Sequence, residues 1–194
     1  MIGPGFSKEL RQAAATRQVV PRLVCESPQE WRLGPLTVVL DKARTSEAAQ
    51  LRYARQAVAR AEADAVSIMD AWTRALAALV KKSLAPGELW TRLAEAYRAI
   101  LARAKARPGE RVDLAELREA LVTARRTYTK AQFAFDLARL RHERHLVHAG
   151  QRLDLGVATG MATSRSGRVV WIEDESGAGQ YYQSFRLLEE THPR

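Results

Sequence analysis

The chain has 194 residues, 31 Lys plus Arg against 22 Asp plus Glu, a formal net charge of +9 and 46% hydrophobic residues. That length suits one main core with an appendage rather than two full domains. The single cysteine, Cys25, excludes an intramolecular disulfide and a cysteine-based zinc site, and fits a reducing, cytoplasmic compartment. The excess positive charge favours association with nucleic acid, acidic protein partners or anionic membrane surface, although arginine-rich chains are often basic without binding nucleic acid.

The opening residues, Met1 to Lys8, lack the charged start and apolar run of a signal peptide. No later run is long enough to span a bilayer, and Gly3 follows Ile2 rather than the initiator methionine. The expectation is a chain without membrane insertion.

Pro4, Gly5, Pro21, Pro28, Gly34 and Pro35 punctuate the first stretch, with a short helical pattern over residues 7–18. Residues 1–44 therefore read as an irregular N-terminal arm. Within it, residues 36–40 fit a short strand or the entry to a helix, which periodicity cannot separate at that length.

From Thr45 the apolar residues Leu51, Ala54, Val58, Ala61, Ala65, Ile68, Trp72, Ala75 and Leu79 recur at spacings of three and four. That is a heptad seam, and it predicts one long helix to about Ser83, capped by Thr45 or Ser46. Ala85-Pro86-Gly87 breaks the pattern, with Pro86 suited to the first turn of a second helix carrying Leu89, Leu93, Tyr97, Ile100 and Ala104. Asp113 with Glu116 three residues on resembles a capping box and predicts a third helix. Its seam is Leu114, Leu117, Leu121, Ala124, Tyr128, Ala131, Phe135 and Ala138, and Gly150 supplies its stop.

Beyond Gly150, residues 168–172 and 180–185 flank an acidic, glycine-containing loop and read as a β-hairpin. A lone hairpin is marginal in water, so it must pack on the helices, extend to a strand near residues 153–157, or join a partner's sheet. The expected architecture is mainly α: a long antiparallel helical hairpin or three-helix bundle with an irregular arm and a small C-terminal β-hairpin. The divisions are an arm at 1–44, a helical bundle or antiparallel coiled coil at 45–150, and a hairpin appendage at 151–194.

No motif names a reaction. His142, His145 and His148 lack a metal-binding spacing and sit among arginines that repel cations, which favours solvated helix-end residues. Glu173, Asp174 and Glu175 cluster in a turn with no opposing group, Cys25 has no local base, and Gly156 to Gly160 lacks the lysine of a phosphate loop. No enzyme activity, cofactor or metal is expected.

The basic residues Arg118, Arg125, Arg126, Lys130, Arg139, Arg141 and Arg144 fall outside the seam of the third predicted helix. They form a candidate nucleic-acid surface, joined by Lys8, Arg11, Arg17 and Arg22 from the arm, or else a charged solvent face. Trp171, Tyr181, Tyr182 and Phe185 on the hairpin are candidate partner contacts. The expected role is a non-enzymatic structural or adaptor subunit with protein partners or self-association; the alternative is a basic nucleic-acid-binding subunit of a nucleoprotein complex.

The stretch Pro108-Gly109-Glu110-Arg111-Val112-Asp113-Leu114-Ala115-Glu116-Leu117, with Tyr128, Ala131, Phe135, Ala138 and the terminal Ala149-Gly150, resembles the last long helix of TolC-type outer-membrane efflux proteins. The resemblance implies a long envelope-type helix packed against antiparallel neighbours. It carries no functional residue to this chain, which shows neither the signal peptide nor the membrane barrel and paired helix repeats of that family.

Overall fold

A computed structural model describes residues 5–40, 48–122, 128–143, 145–164, 167–173 and 178–190. The chain is not mainly α. Helix accounts for 42% and strand for 33%, and the strands form two antiparallel five-stranded sheets. The long helical hairpin or three-helix bundle is thereby overturned, and helical bundle and coiled coil do not describe this protein. The chain divides into two compact units, Met1–Lys82 and Ser83–Arg194.

The first unit opens with helix α1 (Phe6–Ala15), which buries Phe6, Leu10 and Ala14 at helical spacing. Strands β1 (Arg22–Glu26), β2 (Gln29–Leu33), β3 (Leu36–Leu40), β4 (Ala48–Tyr53) and β5 (Gln56–Glu62) follow as a meander in chain order. Three of these strands lie in or begin within the stretch expected to be an irregular arm. Gly34, at φ 54°, and Pro35 join β2 to β3 through a two-residue turn, in which the positive φ at the first position calls for glycine.

One face of this sheet is apolar. Trp31 stands opposite Val38, which stands opposite Leu51; Leu33 pairs with Leu36, and Leu40 with Ala49, all buried. Helix α2 (Ala65–Lys82) buries Ile68, Met69, Trp72, Ala75 and Leu79, and the Trp72 Nε1 donates to the Leu33 carbonyl at 2.8 Å. Phe6 meets the Trp31 ring edge-on at 6.4 Å between centroids.

The predicted long first helix is therefore a hairpin plus a shorter helix. Leu51, Ala54, Val58 and Ala61 fit a heptad, but Ala49, Leu51 and Tyr53 also alternate, and burial along β4 follows that period of two. Ala54 and Arg55 turn the chain between β4 and β5 with φ of 47° and 64°. Left-handed backbone costs a non-glycine residue about 1 kcal/mol or more, and cross-strand pairing offsets it here.

Asp64, not Thr45 or Ser46, caps the helix that begins here. Its Oδ1 accepts from the backbone N–H groups of Val66 at 3.0 Å and Ser67 at 2.9 Å. Hydrogen bonds from Ser67, side chain first and then backbone, hold the Asp64 carboxyl below its ordinary value of 3.8. Because the folded state prefers the ionised carboxylate, this cap stabilises above about pH 3.8 and is lost as pH falls through the lowered folded value. Asp64→Ala is expected to cost about 1 kcal/mol in urea unfolding at pH 7, the difference shrinking below pH 3.8.

In the second unit, α3 (Pro86–Ala104) begins with Pro86 in its first turn and ends at Lys105 with φ 53°. Then come β6 (Val112–Asp113), α4 (Leu114–Ala120), α5 (Lys130–His142), β7 (Val147–His148), β8 (Gln151–Val157), β9 (Val170–Glu173) and β10 (Gly179–Glu189). The sheet order is β6-β10-β8-β7, with β9 also paired to β10. The expected small hairpin is β9 with β10, and β10 is also paired to β6 and β8 within this sheet.

The third predicted helix is broken. Asp113 ends a strand and makes no side-chain cap bond, α4 closes at Ala120, and α5 restarts ten residues on at Lys130. The TolC-type stretch thus spans a strand and two separate helices rather than one long helix. Thr129 caps α5 by accepting from the Gln132 N–H at 3.2 Å. Thr129-Lys130-Ala131-Gln132 carries the Thr-x-x-Gln start signature that the sequence reading passed over.

Asp136 of α5 is 1% exposed and is the hub of a polar cluster. Tyr128 Oη donates to its Oδ2, while Ser83 Oγ at 2.6 Å and Gln132 Nε2 at 3.1 Å donate to its Oδ1. A buried carboxylate is tolerated only with such partners. Asp136→Ala leaves the buried Tyr128 and Gln132 and the half-buried Ser83 without this acceptor, and equilibrium unfolding should show a loss of about 3 kcal/mol.

Candidate nucleic-acid interface

The arginines expected to line one helix do not share one. Arg118 lies on α4, where Nη1 donates to the Tyr128 carbonyl at 2.9 Å. Lys130, Arg139 and Arg141 belong to α5; Arg139 pairs with Glu143 at 3.1 Å and Arg141 donates to the Tyr182 hydroxyl at 2.7 Å. Arg125, Arg126 and Arg144 lie outside the described residues. Of the arm residues, Arg17 is tied to Asp70 at 2.5 Å and to Thr73 at 3.2 Å.

A helix that reads a DNA groove must present an exposed face. Helix α5 has none along most of its length, since residues 131–138 and Leu140 are all buried. Base reading by α5 is excluded on that ground.

Of the candidate partner residues, Phe185 is fully buried and meets the Tyr97 ring at 5.6 Å, and Tyr182 is 6% exposed. Trp171 and Tyr181 pair across β9 and β10 with centroids 4.7 Å apart and remain half-buried. The Trp171 indole lies over Gly179, where an added Cβ would come within 2.4 Å of the ring.

The three histidines go separate ways. His142 Nε2 donates to the Glu173 carbonyl at 3.0 Å, His145 lies 3.7 Å from Glu143, and His148 stacks on Trp90 at 5.8 Å. Among the described residues, no group of three His, Cys, Asp or Glu could hold a metal ion. Asp174 and Glu175 lie outside those residues.

The sheets bring together arginines that sequence spacing does not connect. On the face of the first sheet opposite Trp31 and Leu51, Arg22 stands directly across from Arg32, Arg32 across from Thr37, and Thr37 across from Arg52. The line crosses four strands with no carboxylate in it. Arg32 Nε is held by the Gly34 carbonyl at 2.5 Å and Arg52 Nε by Gln50 Oε1 at 2.6 Å.

On the second sheet, the face opposite Phe185 and Leu187 carries Ser184 and Arg186 of β10, with Arg152, Asp154 and Gly156 of β8. Arg111 Nη2 and Arg186 Nε both donate to Asp154 Oδ2 at 2.7 Å, and Arg111 Nη1 donates to Ser184 Oγ at 3.3 Å. Arg111 lies over Gly156, where an added Cβ would come within 2.4 Å of its Nη1. Burial alone would raise the Asp154 carboxyl, but the Arg186 hydrogen bond and the charges of Arg111, Arg186 and Arg152 outweigh it and hold it below 3.8.

Asp154 therefore stabilises the fold above its ordinary value of 3.8, and that contribution is lost as pH falls through the lowered folded value. With the pair about one-third exposed, Asp154→Asn should cost roughly 0.5 kcal/mol at pH 7 in chemical denaturation. The deficit should vanish in acid.

No known protein family matches this chain, and neither the curated proteins nor the solved structures include one significantly similar to it. Among the described residues, no helix is long and apolar enough to cross a membrane.

Proposed function

We propose that this protein is a non-catalytic subunit of a nucleoprotein assembly that holds nucleic acid by its phosphate backbone, in the cytoplasm. The observation that carries the reading is the cross-strand line Arg22, Arg32, Thr37 and Arg52, in which Arg22 stands directly across from Arg32 and Thr37 lies between Arg32 and Arg52. Guanidinium groups in such a row suit the anionic oxygens of successive phosphates. The net charge of +9 supports the same partner class.

Phosphate contacts position a protein on nucleic acid without reading sequence, and an arginine row with no interleaved aromatic fits that kind of contact. The half-buried Trp171–Tyr181 pair supports a protein partner in the same assembly, as a second contact rather than a competing function.

Random-sequence DNA and RNA oligonucleotides should bind the full chain at 50 mM salt and be released by about 300 mM. The double variant Arg32→Ala/Arg52→Ala should lower the slope of log affinity against log salt by about 2, uniformly across sequences. Absence of any binding at 50 mM salt would remove the reading.

A further inference from the structure

We infer that the outer face of the second sheet holds a discrete phosphate cradle formed by Arg186, Arg111 and Arg152, with Asp154 as its positioning residue. It lies on the Ser83–Arg194 unit, separate from the arginine row of the first sheet, and it rests on the polyanion reading only in that a nucleic-acid backbone is one source of the phosphate.

The geometry points there because Asp154 uses few of the available donors. Its Oδ2 takes one hydrogen bond from Arg186, through Nε, and one from Arg111, through Nη2. An arginine anchored at Nε keeps its end-on edge, one N–H from each terminal nitrogen, and that fork fits two oxygens of one phosphate. The Arg186 side chain is 34% exposed, so solvent or a ligand reaches it. Arg152 is exposed on the same face, two cross-strand pairs along at Leu188, and its charge is close enough to act on Asp154.

The carboxylates on this face set where the phosphate goes. Asp154 faces Arg186 and Arg111, while Asp113 is exposed opposite Ser184 and takes no hydrogen bond from α4. Asp113 is a like charge to any anion at the Ser184 end.

Gly156 is the part of this arrangement that a general basic surface has no use for. A Cβ there would collide with the Arg111 guanidinium and with Ser184 Oγ, both ends of side chains that can swing aside. Gly156→Ala therefore displaces the Arg111 guanidinium together with Ser184 Oγ, without changing the charge of the protein.

Two charge-conserving variants, Gly156→Ala and Arg186→Lys, test the cradle in the full chain. Oligonucleotide affinity and inorganic phosphate binding are measured at fixed salt, the latter by titration calorimetry, with circular dichroism confirming that each variant folds. The cradle predicts about a tenfold loss on Arg186→Lys and a several-fold loss on Gly156→Ala. If saturable inorganic phosphate binding exists and is lost in both variants, the site takes a free phosphate group; if only oligonucleotide binding is weakened, the phosphate belongs to a nucleic-acid backbone. Either supports the cradle. Oligonucleotide binding within twofold of the parent in both variants, with no phosphate binding they abolish, overturns it while leaving salt-sensitive binding by the first sheet intact. Absence of salt-sensitive binding to any oligonucleotide removes the first-sheet reading instead, and the phosphate titration still decides the cradle.

Discussion

Alternation along β10 from Ser184 to Leu188, beyond the register shift between Tyr182 and Ser184, is the constraint on which the second unit and its candidate site depend. Phe185 and Leu187 point into the core, where Phe185 meets Tyr97 of α3, while Ser184 and Arg186 point the other way. A shift of one residue would bury Arg186 and expose Phe185, so the apolar pairs that hold the sheet also fix the arginines outside it. The strand is paired to β6, β8 and β9, and slipping it would break three ladders at once. The cradle thus takes its rigidity from core packing rather than from its own ion pairs, which are half-exposed and individually weak.

The same logic applies to the first sheet in a different key. Trp31, Val38 and Leu51 register on the inner face and thereby force Arg32, Thr37 and Arg52 into register on the other. Charge concentration on both open faces follows from where the apolar residues went.

Asp136 illustrates the opposite use of charge. It is enclosed and answered by Tyr128, Ser83 and Gln132, so it fixes the N-terminal half of α5 instead of meeting a ligand. Arg141, from the same helix, is spent on the Tyr182 hydroxyl, and Arg118 on a backbone carbonyl. The arginines that look most prominent when drawn as one helix are largely engaged in holding the fold.

Local chemistry alone determined the helix begun by Pro86, with its buried Leu89, Leu93, Tyr97 and Ile100, and the strand pair that brings Trp171 against Tyr181. These signals are short-range: a fixed proline φ, a helical spacing of bulky side chains, a β-rich run on each side of a glycine-containing loop. Thr129 and Gln132 also announced the start of α5, and Asp64 the start of α2, to a reading attentive to caps. The stretch from Ala48 to Glu62 was not decidable locally, because alanine fits a heptad and an alternating strand equally and its helix propensity is worth only tenths of a kcal/mol against cross-strand packing. Tertiary structure alone decided which arginines meet: Arg111 and Arg186 are far apart in the chain and reach one carboxylate only because β6 and β8 flank β10. Strand pairing is a non-local property, and no spacing in the sequence encodes it.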